Sequence, residues 1–241
     1  MSLIDSQVNT VLDLLYQVYD TLSGRSLADN TIVIRTADHG EMGLAHGGLR
    51  QKSFNMYDES LTVPLIISNP ILFKEAKTNR QLYSHVDMMP TLNGLLNLGN
   101  PLDYTFRGVD LSPVIKNPDG AAEVQDAILF TFDDFRSGYG NNVDPLPTAN
   151  RVRCIREKKW KYGYYFYIAP PEVTDPQSYP MEYEMYDLEN DHNELENLAN
   201  PAHPRYNDPN IVSERNRLHA KLLALEEAKT GMVGVETPAV P

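Results

Sequence analysis

The residues of this chain best suited to chemistry follow a short apolar run at positions 31–35. Asp38 and His39 come almost directly after that run, whose composition is typical of a buried strand. In an open α/β sheet, ligands gather at the carboxyl ends of strands, where a carboxylate beside an imidazole can bind one metal ion. The pair therefore predicts a metal site.

The segment that follows provides groups suited to an anion. Four glycines between positions 40 and 48 let the backbone turn tightly and approach a bound group closely. Lys52, fourteen positions after Asp38, carries a mobile point charge. His46 could contact a substrate or protonate a leaving group, because histidine as a residue type is suited to proton transfer, although a hydrogen bond that orders the loop is the simpler interpretation. We name Lys52 and His46 as candidate catalytic residues.

Composition limits the partners that the chain can have. Its 33 acidic and 21 basic residues give a net charge of −12, which opposes binding to nucleic acid or to an anionic membrane. The apolar share of 41% suffices for a packed core in 241 residues. A single cysteine, Cys154, excludes an internal disulfide and is most simply a small buried hydrophobe. Neither the compartment nor the oligomeric state can be predicted.

Hydrophobic periodicity predicts the elements that position these residues. Over residues 1–120, helical patterns at 6–22 and 89–98 alternate with strand patterns at 31–35 and 63–68. That alternation predicts an α/β domain with a parallel-rich sheet flanked by helices. Over residues 121–241, four strand patterns and a final helical pattern predict a small antiparallel sheet backed by a helix. The predicted strands are 127–132, 151–156, 162–168 and 182–188, and the helix is 212–229.

Aromatic residues are concentrated between positions 160 and 167. They could form the wall of a substrate entrance for an aromatic or sugar ring. Packing within the sheet is the simpler interpretation, because strands are enriched in aromatic residues.

Three separated motifs give the chain a family resemblance. Residues 38–48 are DHGEMGLAHGG, followed by Lys52 and by YDE at 57–59. Residues 84–92, SHVDMMPTL, are similar to a VDxxPT helix start, and residues 184–198 match an ELYDLxxDPxExxNL segment with His192 in place of its proline. In this order the motifs resemble the second half of a sulfatase of the alkaline-phosphatase-like superfamily.

The resemblance implies a partial alkaline-phosphatase-like fold and a parent protein that is a sulfuric ester hydrolase acting on sulfate esters. It implies that Asp38 and His39 bind a divalent metal and that Lys52 binds the sulfate group. The expected metal is Ca²⁺, with Mg²⁺ or Mn²⁺ as alternatives. An imidazole ligand suits softer ions, so Mn²⁺ or Zn²⁺ could compete with Ca²⁺.

The nucleophile of the family is missing from this sequence. Sulfatases of this type carry a C/S-x-P-x-R motif that is converted to formylglycine, whereas Cys154 is followed by Ile155 and Arg156 with no proline between. We therefore expect the chain to be the C-terminal portion of a sulfatase, inactive by itself, with formylglycine on a missing N-terminal part. Alternatives are a phosphodiesterase or phosphonate monoester hydrolase of the same superfamily, and a noncatalytic interaction domain.

Overall fold

The computed structural model of the chain describes residues 2–52, 54–99, 104–134, 149–168 and 181–231. The chain divides into two compact units. Unit 1 comprises Met1–Gly40 and Leu61–Thr78, and unit 2 comprises Glu41–Ser60 and Asn79–Pro241. Across the described ranges, none of the helices combines the length and the apolar character needed to cross a membrane. The predicted division into residues 1–120 and 121–241 stays a prediction.

Unit 1 contains helix α1 (Ser2–Gln17), a 3-10 turn (Leu27–Asn30) and strands β1 (Val33–Arg35) and β2 (Ile66–Ser68). Apolar residues at three- and four-residue spacings produce the helix, although it begins and ends a few residues earlier than predicted. The buried side chain of Asn69 follows β2 directly. Its amide donates to the carbonyl of Thr31 at 2.9 Å, which holds the start of β1 beside the end of β2.

The predicted parallel-rich sheet is not confirmed. β1 and β2 pair antiparallel, with Val33 opposite Ser68 and Arg35 opposite Ile66. The chain reverses direction between the two strands, and alternating helical and strand patterns do not determine which strands become neighbours. Both sheets within the described residues are antiparallel.

Unit 2 is built around the predicted small antiparallel sheet and its helix. Its four strands lie in the order β3-β4-β5-β6. Asp208 accepts a hydrogen bond from the amide of Asn210 at the start of helix α6, and Gly231, at φ 69°, ends it. The elements after β1, other than β2, are α2 (Ala45–Gly48), α3 (Asp58–Leu61), a 3-10 turn (His85–Asp87), α4 (Met88–Leu96), α5 (Ser112–Lys116), β3 (Ala127–Asp133), β4 (Arg151–Glu157), β5 (Trp160–Phe166), β6 (Glu182–Asp187) and α6 (Pro209–Thr230).

The four-stranded sheet has two different faces because side chains alternate along a strand. One face contributes Ile155, Tyr162 and Met185 to an apolar core with Leu218 and Leu222 of α6. On that face of β5, Tyr162, Tyr164 and Phe166 are buried and Trp160 is half-buried, so packing is the interpretation that the structure supports for them. The opposite face carries polar and small residues, among them Cys154, Lys161, Gly163, Tyr165, Glu184 and Tyr186.

Residues 54–60 cover part of this polar face. Met56 is fully buried there and packs on Gly163, where a Cβ atom would lie 2.7 Å from the Met56 Cε atom. The same Cβ atom would lie even closer to the backbone carbonyl oxygen of Arg153, so any larger side chain at 163 would clash with the neighbouring strand as well as with Met56. The glycine therefore lets the chain that follows Lys52 approach the sheet closely.

The second motif stabilises a connection in unit 2. Asp87 is fully buried, and its carboxylate accepts hydrogen bonds from the amide of Val109 at 2.9 Å and from the side chain of Gln125 at 2.8 Å. Thr91 accepts another from the amide of Leu111 at 3.0 Å. Because these bonds satisfy buried backbone and carboxylate groups, we assign the motif a structural role.

Candidate functional site

Asp38 and His39 lie side by side in unit 1, three and four residues after the end of β1. The His39 amide donates to Oδ1 of Asp38 at 3.0 Å, and Nε2 of His39 lies 3.2 Å from Oδ2 of Asp38. The side chains are 84% exposed for Asp38 and 36% exposed for His39. The pair is therefore accessible at the carboxyl end of a strand, the location that the sequence predicted.

The orientation of the His39 ring tests whether this pair suits a metal. Nδ1 lies 2.7 Å from the carbonyl oxygen of Gly40, so the ring proton is assigned to Nδ1 and donates to that carbonyl. The lone pair of Nε2 then faces the Asp38 carboxylate. Two electron-rich atoms that converge in this way fit a shared cation, and a backbone carbonyl on the other ring nitrogen is the usual support of a metal-binding histidine.

The pair would supply two ligands of such a site. The described ranges contain no group of three or more His, Cys, Asp or Glu side chains that could hold a metal ion. A hard cation takes about six to eight oxygen ligands, or about six for Mg²⁺. The donor set therefore fits part of a metal shell, with one oxygen and one nitrogen donor side chain.

The glycine-rich loop, residues 41–52, belongs to unit 2. Its first part closes on itself, because the amide of Leu44 donates to the carbonyl of Leu49 at 3.0 Å. Leu44, His46 and Gln51 have φ values of 74°, 49° and 64°, in the left-handed region that residues with side chains rarely adopt. This conformation costs free energy, so contacts elsewhere must stabilise it.

His46 provides one such contact. Its ring stacks on Tyr57 with the centroids 3.7 Å apart, and Nε2 lies 3.3 Å from Oε2 of Glu59. The side chain is only 9% exposed. This geometry favours the loop-ordering role over proton transfer to a leaving group, and a catalytic role for His46 stays a prediction.

Lys52 lies three residues beyond the closed part of the loop and is exposed. The predicted contact of Lys52 with a sulfate group stays a prediction. Lys52 and His46 belong to unit 2, whereas Asp38 and His39 belong to unit 1. Their predicted arrangement around one cleft stays a prediction.

Sequence reasoning missed the charged residues beneath the loop. Lys161 is fully buried on the polar face of the sheet and contacts both Asp58 and Glu194. The signal was a lysine within a mainly aromatic strand, since lysine is almost never fully buried unless it is paired. Its partners lie 103 residues before it and 33 after it, so no local pattern points to them.

Two other titratable groups share this polar face. Burial raises the pKa of Glu184 to about 7, although hydrogen bonds from Tyr186 and Tyr165 oppose the shift. Burial also raises the pKa of Cys154 to about 12. Cys154 is thus a neutral buried thiol, as its sequence context indicated, and is unsuited to act as a thiolate nucleophile.

The third motif fastens the segment after β6 to the edge of the sheet. The Asn197 side chain donates to the carbonyl of Tyr183 at 3.0 Å and accepts from the amide of Met185 at 3.1 Å. Leu198 donates from its amide to the carbonyl of Met185 and is buried in the core. Asn197 and Leu198 thus form hydrogen bonds with the backbone of β6, so their role is structural.

Comparisons with known proteins agree with the motifs. Residues 2–98 match the family model described as sulfatase. Over 153 residues the chain is 35% identical to an ulvan-active sulfatase of Formosa agariphila, an alignment that covers 63% of this chain and 27% of that protein. The chain spans about a third of the length of the curated relatives that it matches.

Two solved structures have the same fold. One is a protein in complex with its substrate D-glucosamine-2-N,6-O-disulfate, with a TM-score of 0.68, 23% identity and coverage of 95% of this chain and 39% of that chain. The other is the phosphonate monoester hydrolase of Agrobacterium radiobacter, with a TM-score of 0.63, 24% identity and coverage of 92% and 39%. The predicted resemblance is confirmed: the chain is similar in sequence to sulfatases, and it shares the fold of these two structures over the matched length.

Proposed function

We propose that this chain, a relative of the sulfatases, supplies part of the active site of a sulfuric ester hydrolase. The observation that supports this most is the convergence of the Asp38 carboxylate and Nε2 of His39 at the end of β1, inside the residues that match the sulfatase family. In this proposal Asp38 and His39 bind metal and Lys52 binds the sulfate group.

Ca²⁺ is the metal that we propose, with Mg²⁺ or Mn²⁺ as alternatives. A bound divalent cation would neutralise sulfate oxygens and stabilise the charge that develops as the ester breaks. Asp38 offers an anionic oxygen, and the contact between Nδ1 of His39 and the Gly40 carbonyl fixes the direction of the second donor. A second carboxylate in place of His39 would suit Ca²⁺. The imidazole of His39 shifts the preference of the site towards Mn²⁺.

Lys52 acts on the sulfate group. Its ammonium group donates to a nonbridging sulfate oxygen and offsets negative charge as the ester bond breaks. Because the chain has a net charge of −12, an anionic substrate needs this local positive charge and the metal to approach. The same net charge opposes nucleic acid and an anionic membrane as partners.

The nucleophile lies outside this sequence in our proposal. Sulfatases generally use a metal and a formylglycine, and no C/S-x-P-x-R motif occurs in these 241 residues. We assign the formylglycine to an N-terminal polypeptide that also supplies other metal ligands and further strands, including parallel neighbours for β1 and β2. The isolated chain should therefore release no nitrophenol from nitrophenyl sulfate.

A second candidate is hydrolysis of phosphonate monoesters. The shared fold with the hydrolase of Agrobacterium radiobacter favours it, and a tetrahedral phosphonate would make the same contacts with Lys52 and a metal as a sulfate would. The organic group of the substrate is open in both cases.

A chimera tests the proposal. This chain would replace the matching part of the ulvan-active sulfatase of Formosa agariphila, and the rest of that protein, outside the 27% that is aligned, would stay unchanged. We expect sulfate release from ulvan by the folded chimera, reduced by about 10²-fold or more in a Lys52→Ala variant because a charged contact to the reacting group is lost. Lys116→Ala is the control, since Lys116 lies on α5, outside the proposed site.

The substrates separate the two candidate functions. Hydrolysis of 4-nitrophenyl phenylphosphonate in preference to sulfate esters would favour the phosphonate candidate. A folded chimera that is inactive on both substrates, or equally active with alanine at position 52, would overturn the proposed role of this chain. Circular dichroism and thermal melting establish folding. If the chimera does not fold, NMR titration of the isolated chain with inorganic sulfate tests whether Lys52 binds the anion.

A further inference from the structure

The most unusual charged group of unit 2 is Lys161, whose side chain is 0% exposed. Its ammonium group donates to the carbonyl of Met56 at 2.9 Å and contacts carboxylate oxygens of Asp58 and of Glu194, the latter at 2.5 Å. An ammonium group has three donors, and three acceptors surround this one. Two of these contacts are hydrogen bonds, to Met56 and to Asp58, whereas the contact with Glu194 is an ion pair that leaves Oε1 of Glu194 without a hydrogen bond.

The charges around Lys161 are balanced. Arg156 adds a second cation, 3.3 Å from Oδ2 of Asp58, so that two cations face the two carboxylates of Asp58 and Glu194. Burial alone would raise the pKa of Asp58, but Lys161 and Arg156 hold it below its usual range. We call these four residues the buried charge cluster. Lys161 and Glu194 are buried, whereas Asp58 and Arg156 are partly exposed, so removal of Lys161 leaves the Glu194 carboxylate buried and without its cation, which is costly.

The cluster is connected to the glycine-rich loop through residues 57–60. Asp58 points to the cluster, and its amide donates to Oε2 of Glu194 at 2.6 Å. Its neighbours contact the loop instead: Tyr57 and Glu59 hold His46, and the hydroxyl of Ser60 donates to Sδ of Met42 at 3.1 Å. One short segment thus contacts the sheet on one side and the loop on the other.

The backbone of the loop needs this support. Left-handed φ values at Leu44 and His46 are held only when surrounding contacts outweigh their cost. The contacts at Met42 and His46 both come from residues 57–60, which are tied to the sheet by Lys161. The polar face of the sheet is thereby coupled mechanically to the loop that precedes Lys52.

We propose that Lys161 is a positioning residue, which acts through Asp58 and residues 57–60 to hold the glycine-rich loop that presents Lys52. The four-stranded sheet of unit 2 then has a role at the sulfate-binding site, although Lys161 itself contacts no substrate. The consequence for sulfate binding rests on the proposed function, whereas the mechanical coupling does not.

Hydrogen exchange of the chain itself tests the coupling without any turnover. The variant is Lys161→Met, which keeps the length of the side chain and removes its charge. The matched control is Lys221→Met, because Lys221 also pairs with two carboxylates, Asp126 at 2.8 Å and Glu157 at 2.6 Å, but makes these contacts from α6. We expect exchange at the amides of Leu44, Ala45 and Leu49 to rise at least about tenfold in Lys161→Met and to stay unchanged in Lys221→Met.

A second variant covers the case in which Lys161→Met does not fold. Glu59→Gln leaves the buried charge cluster intact and weakens only the contact with His46. We expect faster exchange confined to residues 42–49, and Lys161→Arg should restore part of the protection that Lys161→Met loses. Unchanged loop exchange in Glu59→Gln, or equal effects of Lys161→Met and Lys221→Met, would overturn the proposal.

The chimera then separates this inference from the proposed function. If both hold, Lys161→Met lowers kcat and kcat/KM for the sulfate ester, because Lys52, which offsets charge as the ester bond breaks, is displaced. A chimera inactive on every ester, together with a loop loosened by Lys161→Met, would refute the proposed function and leave the coupling supported.

Discussion

The two units differ in how their apolar residues are used. In unit 2, Tyr162, Leu218 and Leu222 are fully buried in one continuous core. In unit 1, Ala28 is the one buried apolar side chain among the described residues, while Leu22 is 97% exposed. Unit 2 therefore has a core of its own, and we expect the exposed apolar surface of unit 1 to pack against another polypeptide surface.

This difference separates the two chemical contributions that we propose for the chain. Lys52 follows a loop that is fastened to a well-packed sheet. Asp38 and His39 follow a three-residue strand in a unit with little core. The lysine is thus expected to be held in place in this chain alone, whereas the metal pair is expected to need further support.

A core truncation in unit 2 should have the largest effect on stability, and it would sharpen this contrast. Leu222→Ala should lower the free energy of unfolding by about 2–5 kcal/mol, because a fully buried leucine is removed and a cavity remains. Urea denaturation followed by tyrosine and tryptophan fluorescence measures this loss. A loss below about 1 kcal/mol would mean that the core of unit 2 contributes far less than its burial indicates.

A smaller effect depends on pH. In the folded chain Glu184 keeps its proton up to a pKa of about 7, whereas an ordinary glutamate has a pKa of 4.5. The folded state binds more protons between these values, so unfolding becomes easier as pH rises, by at most about 1.4 kcal/mol per pH unit. Glu184→Gln should remove this slope.

Urea denaturation of wild type and Glu184→Gln at several pH values from 4.5 to 8 measures the difference. The stability of wild type relative to the variant should fall through this window and level off above about pH 7. Glu189→Gln, an exposed control, should not change the slope. Parallel curves for wild type and Glu184→Gln would show that Glu184 is not held protonated on the polar face of the sheet.

The smallest effect on the free energy of unfolding is expected for a substitution in unit 1. Leu22→Ala should change the free energy of unfolding by less than about 0.5 kcal/mol, because the side chain is almost wholly in solvent. The same urea experiment compares it directly with Leu222→Ala. A loss as large as that of Leu222→Ala would abolish the contrast between the two units.

Local sequence patterns predicted much of the fold. The strands of the four-stranded sheet and helix α6 were predicted within a few residues, because alternation with period two and an amphipathic helical face are local signals. Strand direction in unit 1 was not predictable in the same way. The pairing of Val33 with Ser68 depends on which strands become neighbours, and that depends on the whole fold.

The candidate site also contains both locally predictable features and contacts that depend on the whole fold. Asp38 and His39 are adjacent in sequence and follow a strand, so their proximity was predictable from spacing. The contacts of Lys161 with Asp58 and Glu194, and of His46 with Glu59, join distant positions or depend on left-handed backbone within the loop. Neither periodicity nor composition carries that information.

The central claim is that this chain holds only part of a sulfatase metal site. Calorimetric titration of the chain with Ca²⁺ and with Mn²⁺, beside an Asp38→Ala variant, tests it most directly. Two protein ligands out of a shell of about six to eight predict weak binding at most, with little difference between wild type and variant. Tight, stoichiometric binding that Asp38→Ala abolishes would show that the chain carries a complete metal site and would contradict the account.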